Sequence, residues 1–580
     1  MTSSAQPRKR LEFAAFDLDL DRLAWPGLVA VVVASGLLIY HLTRGSSFLA
    51  DDWTWITTRR GNSLHTFLAP YNGHLSLVPI AIYRLMFAIV GIGDFAAYRV
   101  LLLTVVSVTG VVIFEYARHR VGEFCALLVA TLVLFLGPGW NDILQPFQIA
   151  WVIAVASGVL AFSLLDRRRI GTDAAACLLI LVAISSTSVG VAFAVGIALD
   201  IALARRRWRD AWIVGLPLLL YVVWAVHYHP SHIQISALTN FPLNLAQTTA
   251  SAVAGVVGLS GVTPTDVTGL GVTFGGSLLA LAVAAVFVRR REGWDWSRFV
   301  ALAVTLVTFS LMTSLVRSFQ SPLVSRYMYV ICVLAALMAV ELARGLRVPL
   351  GAQLALAGLT LVVVVSNIGV LRSGGNYFRQ LGAQTDGTLA ALELDRDNVA
   401  LDTPLTQLPL YPLVLVTAGQ YFATAHSLGT PAYTLAQLQR ASPSAQSAAD
   451  SQLIADRDVI FAPVSAPPSP AGTAARVEGA ANGVAARRGA CVAFAPAAAL
   501  APGAASTVSL ELNPGRVSVA AGAAPVAVSV RRFASAFTAL GSVQPRGSAT
   551  VSVSGDRAPQ PWHLQIQTTD PVRVCTVSGP

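Results

Sequence analysis

The chain has 580 residues, is 55% hydrophobic and only 12% charged, and has a mean hydropathy of +0.64. A water-soluble protein of this size needs far more polar surface, so a soluble globular enzyme is excluded. The net charge of +10 does not mark a nucleic-acid binder, because the arginines cluster in short loops between apolar segments, where the positive-inside rule puts them.

Residues 1–23 are polar and basic with no cleavage-site pattern, so they read as a cytoplasmic tail ahead of a retained first span. Lys9 is the single lysine among 40 basic residues, a composition of GC-rich bacterial genomes. A span needs about 20 mostly apolar residues. The first is predicted at 24–42. A long polar loop follows to Asp94, carrying Asp51-Asp52-Trp53, Arg59, Arg60, His65, Tyr71, Asn72 and His74. Within it, 75–90 is apolar but holds Arg84 between Gly73 and Gly91. Counted as a span it would put the next basic loop outside, so it reads as an interfacial or re-entrant helix.

Further spans are predicted at 95–116, 124–136 and 149–165, the first and last ending in arginine clusters. The stretch 174–203 is too long for one helix and carries Ser185-Ser186-Thr187-Ser188 at its middle, so it reads as two short helices turning at the outer face. Spans at 211–226, 271–288, 299–315, 328–343 and 350–371 complete a count of eleven, with an outer loop at 227–269. With this count every arginine cluster lies inside and both long polar loops lie outside.

The last segment, 372–580, then lies outside. It reads as helices and loops up to Gln439, and from Asp458 as short alternating strands separated by Gly, Pro and Ala, the pattern of a β-sandwich. The Pro/Ala/Ser-rich stretch 464–475 reads as a linker or long loop. Cys125, Cys177 and Cys332 sit in apolar helices, whereas Cys491 and Cys575 fall in the outer domain, where an oxidising compartment would let them pair. No Walker loop, nucleophile elbow or metal-ligand spacing is present.

An acid doublet at the outer end of a first helix is costly unless solvated or paired, which marks it as a functional candidate. Three further outer segments carry polar residues: Trp140-Asn141-Asp142 with Gln145 and Gln148; residues 228–232; and Arg317 with Gln320 leading to Ser325-Arg326-Tyr327. An enzyme at the outer leaflet has no nucleotide sugar to use, so its activated substrate must be a lipid, such as a polyprenyl phosphate carrying a sugar. Such a site needs a carboxylate base for an acceptor hydroxyl and a cation for the phosphate leaving group. Asp51 or Asp52 fits the base. Arg326, always charged and forked, fits the phosphate, although capping a span or binding a headgroup would equally explain it. His65 and His74 read first as hydrogen-bonding loop residues, and Trp53, Trp55 and Tyr71 as interfacial aromatics with sugar stacking as a second role.

These features together resemble a GT-C-fold membrane glycosyltransferase, the superfamily of protein O-mannosyltransferases, aminoarabinose transferases and arabinofuranosyltransferases. The matching residues are Asp51-Asp52 in the first outer loop, Arg99 opening the second span, the short helix pair around Ser185 to Ser188, and Ser325-Arg326-Tyr327 before a late span. The usual Lys-Gly at the short-helix turn is Ser188-Val189-Gly190 here, and a second acidic motif is at best Asp142. The resemblance covers 24–371 and implies a GT-C-like transmembrane domain of about eleven helices, followed by an extracytoplasmic mixed α/β domain containing a β-sandwich. It implies sugar transfer from a polyprenyl-phosphate donor to an envelope glycan, lipid or protein at the outer face of the cytoplasmic membrane. It implies Asp51 and Asp52 as catalytic acids, Arg326, Tyr327 and Arg99 at the donor phosphate, and Trp53, His74 and Asp142 at the substrate. In some branches the first-loop acid binds a metal, so a divalent cation such as Mg or Mn stays open. The rival class is a transporter or flippase for an envelope lipid, which would show internal repeats and mid-membrane polar residues; no repeat is evident.

Overall fold

In lipid an apolar segment can satisfy its backbone N–H and C=O groups only internally, and a single segment does so as an α-helix. The computed structural model describes residues 20–49, 51–203, 208–229, 234–259, 270–291, 294–317, 320–405, 408–409, 416–497 and 505–578. Most of the N-terminal tail (1–19), the arginines 205–207, residues 230–232 of the third polar segment and residues 318–319 lie outside them.

Among the described residues eight helices are long and apolar enough to cross a membrane: Leu20–Leu42, Ala96–Val121, Pro146–Leu165, Arg209–Tyr228, Val272–Arg290, Ser297–Val316, Ser325–Leu342 and Leu350–Leu394. Glu123–Leu134 and Gly137–Leu144 form a ninth, bent by 43°. Ile170–Ser186 and Val189–Leu203 are the short pair, turning at Thr187 and Ser188. Gly190 makes the turn possible, since a Cβ there would stand 2.2 Å from the Ala183 carbonyl carbon. These are the segments of the eleven-span reading, and the chain is a multi-pass helical membrane protein. The stretch that was expected to be interfacial is the 14-residue helix Leu77–Val90, short of a span.

Two elements differ from the sequence reading. The last apolar helix does not stop at Leu371 but runs unbroken for 45 residues from Leu350 to Leu394, because small residues such as Gly374, Gly375 and Gly382 pack it tightly against Trp140, Leu42 and Ser47. The outer loop 227–269 holds a helix, Phe241–Val256, whose buried face is Thr248, Ala250, Ser251, Ala252, Ala254 and Gly255. Small and polar residues on a buried face give no hydropathy signal. Gly275 of the neighbouring helix packs directly on Ala250.

Helices of the bundle are tied together by an ion network whose Arg120, Arg298, Asp200 and Glu341 are buried and whose Asp166 is exposed. Asp166 accepts from Arg120 Nη2 and Arg298 Nη2, each at 2.9 Å, while Arg298 Nε holds Asp200 at 2.8 Å and Arg120 Nε holds Glu341. Buried charges of this kind are tolerable only when paired. Arg120, read as part of an inner loop, is thus in the last turn of Ala96–Val121 and is nearly buried.

After the long helix come Ala418–Leu428 and Pro443–Ala455, then eleven strands in two antiparallel sheets. The six-stranded sheet runs, in spatial order, Val459–Val464, Ser548–Val553, Gly515–Ala521, Val572–Val577, Cys491–Pro496 and Gly483–Arg488. The five-stranded sheet runs Arg476–Ala481, Ser506–Leu512, Trp562–Thr568, Val526–Arg531 and Thr538–Val543. Alternate residues of each strand face inward, as Val508, Leu510 and Leu512 do, and the two inner faces share one core with Val519, Val551 and Leu564. The stretch 464–475 is the loop that carries the chain from one sheet to the other. Cys491 and Cys575 stand opposite one another on adjacent strands and form a disulfide, with Cα atoms 4.0 Å apart. The bundle and the β domain join where Pro443–Ala455 packs along the long helix and Arg557 N–H donates to the Leu394 carbonyl.

Candidate active site

The acid doublet does not lie in a loop. Asp51 and Asp52 open a two-turn helix, Asp51–Thr58, where carboxylates favour the positive end of the helix dipole. Successive helix residues point about 100° apart, so the two acids face different surroundings. Asp52 turns into the core and is fully buried. Its Oδ2 accepts from the Leu49 N–H at 3.0 Å and from Gln145 Nε2 at 2.8 Å, and the Tyr83 hydroxyl donates to Oδ1 at 3.2 Å. Burial pushes its carboxyl up to about 7 against the pull of Leu49 and Tyr83. Asp51 turns the other way, into a cavity of about 870 Å³. Burial raises its carboxyl too, while the facing Tyr71 hydroxyl and the Arg326 and Arg317 guanidiniums pull it down.

Four separated segments supply most of the polar lining of this cavity. The first loop gives Asp51, Trp55, Tyr71, Asn72 and His74; the bent segment gives Asn141, Gln145 and Gln148; the short-helix turn gives Thr187 and Ser188; and Arg317, Gln320, Arg326 and Tyr327 close the far side. The remaining walls are mostly apolar, with Trp151, Phe309, Met312, Leu315 and Val316, though Tyr221, His229 and Thr313 also line the cavity. The loop is held in shape from within. Arg59 donates to the carbonyls of Thr66, Ala69 and Pro70, and Tyr71 and His74 exchange backbone hydrogen bonds of 3.0 and 2.8 Å. Asn72, between them, adopts φ 52°, a left-handed conformation that Asn tolerates better than most residues.

Each of the two cations makes a hydrogen bond to the cavity wall. Arg317 Nη2 donates to the Asn72 carbonyl, and Arg326 Nη2 to Gln320 Oε1 at 2.9 Å. Arg326 Nε is buried with no hydrogen-bond partner among the described residues. His74 shares a 2.8 Å hydrogen bond with Ser188 Oγ. Burial, with Arg317 and Arg326 beside it, holds its imidazole down to about 3, so it is neutral near pH 7.

The expected site residues therefore divide. Asp51, His74, Arg326 and Tyr327 meet at the cavity. Asp52 does not; it is a buried acceptor behind the cavity wall. Trp53 does not, because its indole N–H donates to the Phe48 carbonyl at 3.1 Å and its ring packs on Phe48 and Tyr421. Arg99 does not, since its guanidinium lies over the Tyr40 ring and donates to Thr43 Oγ1 and the Tyr40 carbonyl. Asp142 is fully buried beneath the lining residue Asn141, and both its oxygens lack a hydrogen-bond partner among the described residues. Arg317, Gln320 and Tyr71 carry more of the polar surface than the sequence reading gave them. Their signal was clustering of polar side chains at the outer ends of apolar runs.

Among the described residues no group of three or more His, Cys, Asp or Glu could hold a metal ion. Asp52 has its oxygens committed to N–H and O–H donors, which leaves Asp51 as the single carboxylate at the cavity surface. These residues do not fit a carboxylate-held metal centre.

No family model and no curated protein matches the chain. Two solved structures are similar to it. One is ArnT from Cupriavidus metallidurans bound to undecaprenyl phosphate, at 13% identity and a TM-score of 0.40 over 71% of this chain and 85% of that one. The other is arabinosyltransferase EmbB from Mycobacterium smegmatis, at 13% identity and a TM-score of 0.35 over 95% of this chain and 64% of that one.

Proposed function

We propose that the chain is a glycosyltransferase that moves a sugar from a polyprenyl-phosphate carrier to a hydroxyl of a cell-envelope acceptor, at the outer face of the cytoplasmic membrane. The observation that carries the reading is one cavity lined by a single partly buried carboxylate, Asp51, and two arginines, Arg317 and Arg326. The acceptor O–H gives its proton to Asp51 as its oxygen bonds to the anomeric carbon. The bond from that carbon to the phosphate oxygen breaks, and its electron pair leaves with the phosphate.

Charge is conserved inside the cavity at each stage. Before transfer, two arginines balance ionised Asp51 and the single negative charge of a phosphodiester. Afterwards Asp51 is neutral and the same two arginines face a dianionic phosphate monoester. Fixed cations in a site screened from water are the usual means of stabilising a leaving group of growing charge. Neutral His74 leaves this balance undisturbed. The apolar walls suit a prenyl chain, and the β domain is assigned to holding the acceptor.

The test is transfer from a radiolabelled polyprenyl-phosphate sugar in membranes carrying the chain. The wild type should transfer label to an envelope fraction, and Asp51→Asn should not. Equal transfer by both would remove the enzyme reading.

A further inference from the structure

Gln320 stands between the two neighbouring residues that the sequence assigns to the donor phosphate. Its Oε1 accepts from Arg326 Nη2 at 2.9 Å and from the Tyr327 hydroxyl at 2.8 Å, and all three residues line the cavity. Its backbone N–H donates to the Arg317 carbonyl at 2.9 Å, which places it one turn from the second arginine.

Elementary hydrogen-bond chemistry constrains all three side chains. A carboxamide has one acceptor end and one donor end. With the oxygen holding two donors, a flip would set an NH2 against a guanidinium and a hydroxyl proton. The orientation is therefore fixed, oxygen toward Arg326 and Tyr327. Tyr327 has one proton, and it is given to Gln320, so toward an anion Tyr327 offers only lone pairs. Arg326 has one Nη2 proton directed at Gln320, and its Nε–H has no partner among the described residues.

We propose that Gln320 is the positioning residue of the phosphate corner: it sets the plane of the Arg326 guanidinium and takes up the Tyr327 proton, so that Arg326, and not Tyr327, meets the phosphate. The inference rests on the reading that the cavity takes a polyprenyl phosphate. Gln320 acts through Arg326, so its loss should reduce the preference for a phosphate over a neutral headgroup without reducing affinity for the prenyl chain.

The experiment uses the purified full chain in detergent, with undecaprenyl phosphate and uncharged undecaprenol as probes, and reads the ratio of their dissociation constants. The wild type should prefer the phosphate. Gln320→Leu should lower that preference about tenfold, the cost of a misplaced hydrogen bond to a charged group. Its undecaprenol affinity should stay unchanged. Tyr327→Phe should change the ratio by less than about threefold, since only one of the two donors to Gln320 is lost. Gln320→Glu, of the same shape and so independent of packing, should erase the preference by neutralising Arg326. A Gln320→Leu or Gln320→Glu protein with the wild-type ratio overturns the proposal. So does a Tyr327→Phe loss as large as that of Gln320→Leu, or a Gln320→Leu protein that loses both lipids together. A wild type with no preference for the phosphate defeats the functional reading itself, which separates the two failures.

Discussion

Gln145 donates to the Asp52 carboxylate at 2.8 Å across 93 residues of chain, tying the bent segment of the bundle to the short helix that carries Asp51. The second acid of the doublet thus holds the first in place. The carboxylate with three donors is the one closed to the cavity, while Asp51 opens on it.

The doublet should therefore split by mutation. Asp51→Asn should lower transfer by at least about 10²-fold with little change in thermal stability, the low end for loss of a general base. Asp52→Asn must turn an NH2 toward at least one of three donors and should cost about 1–3 kcal/mol of stability. Transfer rates and melting curves on the same preparations check this. A stable Asp52→Asn with the larger activity loss would reverse the assignment.

The pH–rate profile should show the environment of Asp51. A base must be ionised, and burial lifts this one above the usual carboxylate range, so transfer should rise with pH over an acid limb lying higher than about 4. Tyr71→Phe removes a hydroxyl that favours the carboxylate, so the limb should move to still higher pH. Measuring kcat/KM against pH for both proteins decides it, and a limb that moves down in Tyr71→Phe refutes the pairing.

The junction of the long helix with the β domain should weaken as pH rises. Asp395 and Asp458 are buried there and interact; Asn398 donates to the first and Ser554 to the second, and each leaves Oδ2 with no hydrogen-bond partner among the described residues. Burial, the largest cause, raises both carboxyls, and the Asp556 charge adds to both, with Asp456 raising Asp395 and Asp395 raising Asp458. In the unfolded chain they ionise near pH 4. Above that pH the folded state binds more protons than the unfolded one, so stability falls with rising pH and levels off once the pair is ionised. Melting temperatures of the full chain across this range should show the slope, and Asp458→Asn should flatten it.

The Cys491–Cys575 disulfide closes a sequence separation of 84 residues. Replacing both with Ser should cost the β domain about 4 kcal/mol in the chain-entropy model. Thermal melting with and without reductant checks this, and identical curves would show that strand pairing alone suffices.

The sequence revealed the helices because lipid imposes a length and an apolar composition that few other constraints mimic. It revealed the segments of the site because polar side chains at the outer ends of apolar runs stand out against that background. It did not reveal which acid was which, because Asp51 and Asp52 differ only in the direction each leaves the same helix turn. It placed Trp53 and Arg99 at the substrate, whereas both complete local packing through backbone carbonyls, an interaction that leaves no mark in composition. Phe241–Val256 escaped because buried Thr, Ser and Ala look like loop residues until a neighbour's Gly275 is known to press on them.

At a rise of about 1.5 Å per residue, the 45-residue helix Leu350–Leu394 is roughly 68 Å long, more than twice the thickness of a hydrocarbon core. Phe378 lines the cavity part-way along it, and Asp395 at its end touches the β domain. One continuous helix thus sets both a wall of the cavity and the distance of the β domain from it. Removing four residues between Phe378 and Asp395 would draw that domain about one turn closer to the cavity. The chain thus carries its own ruler, and the distance from cavity to β domain is written in the number of residues in that helix.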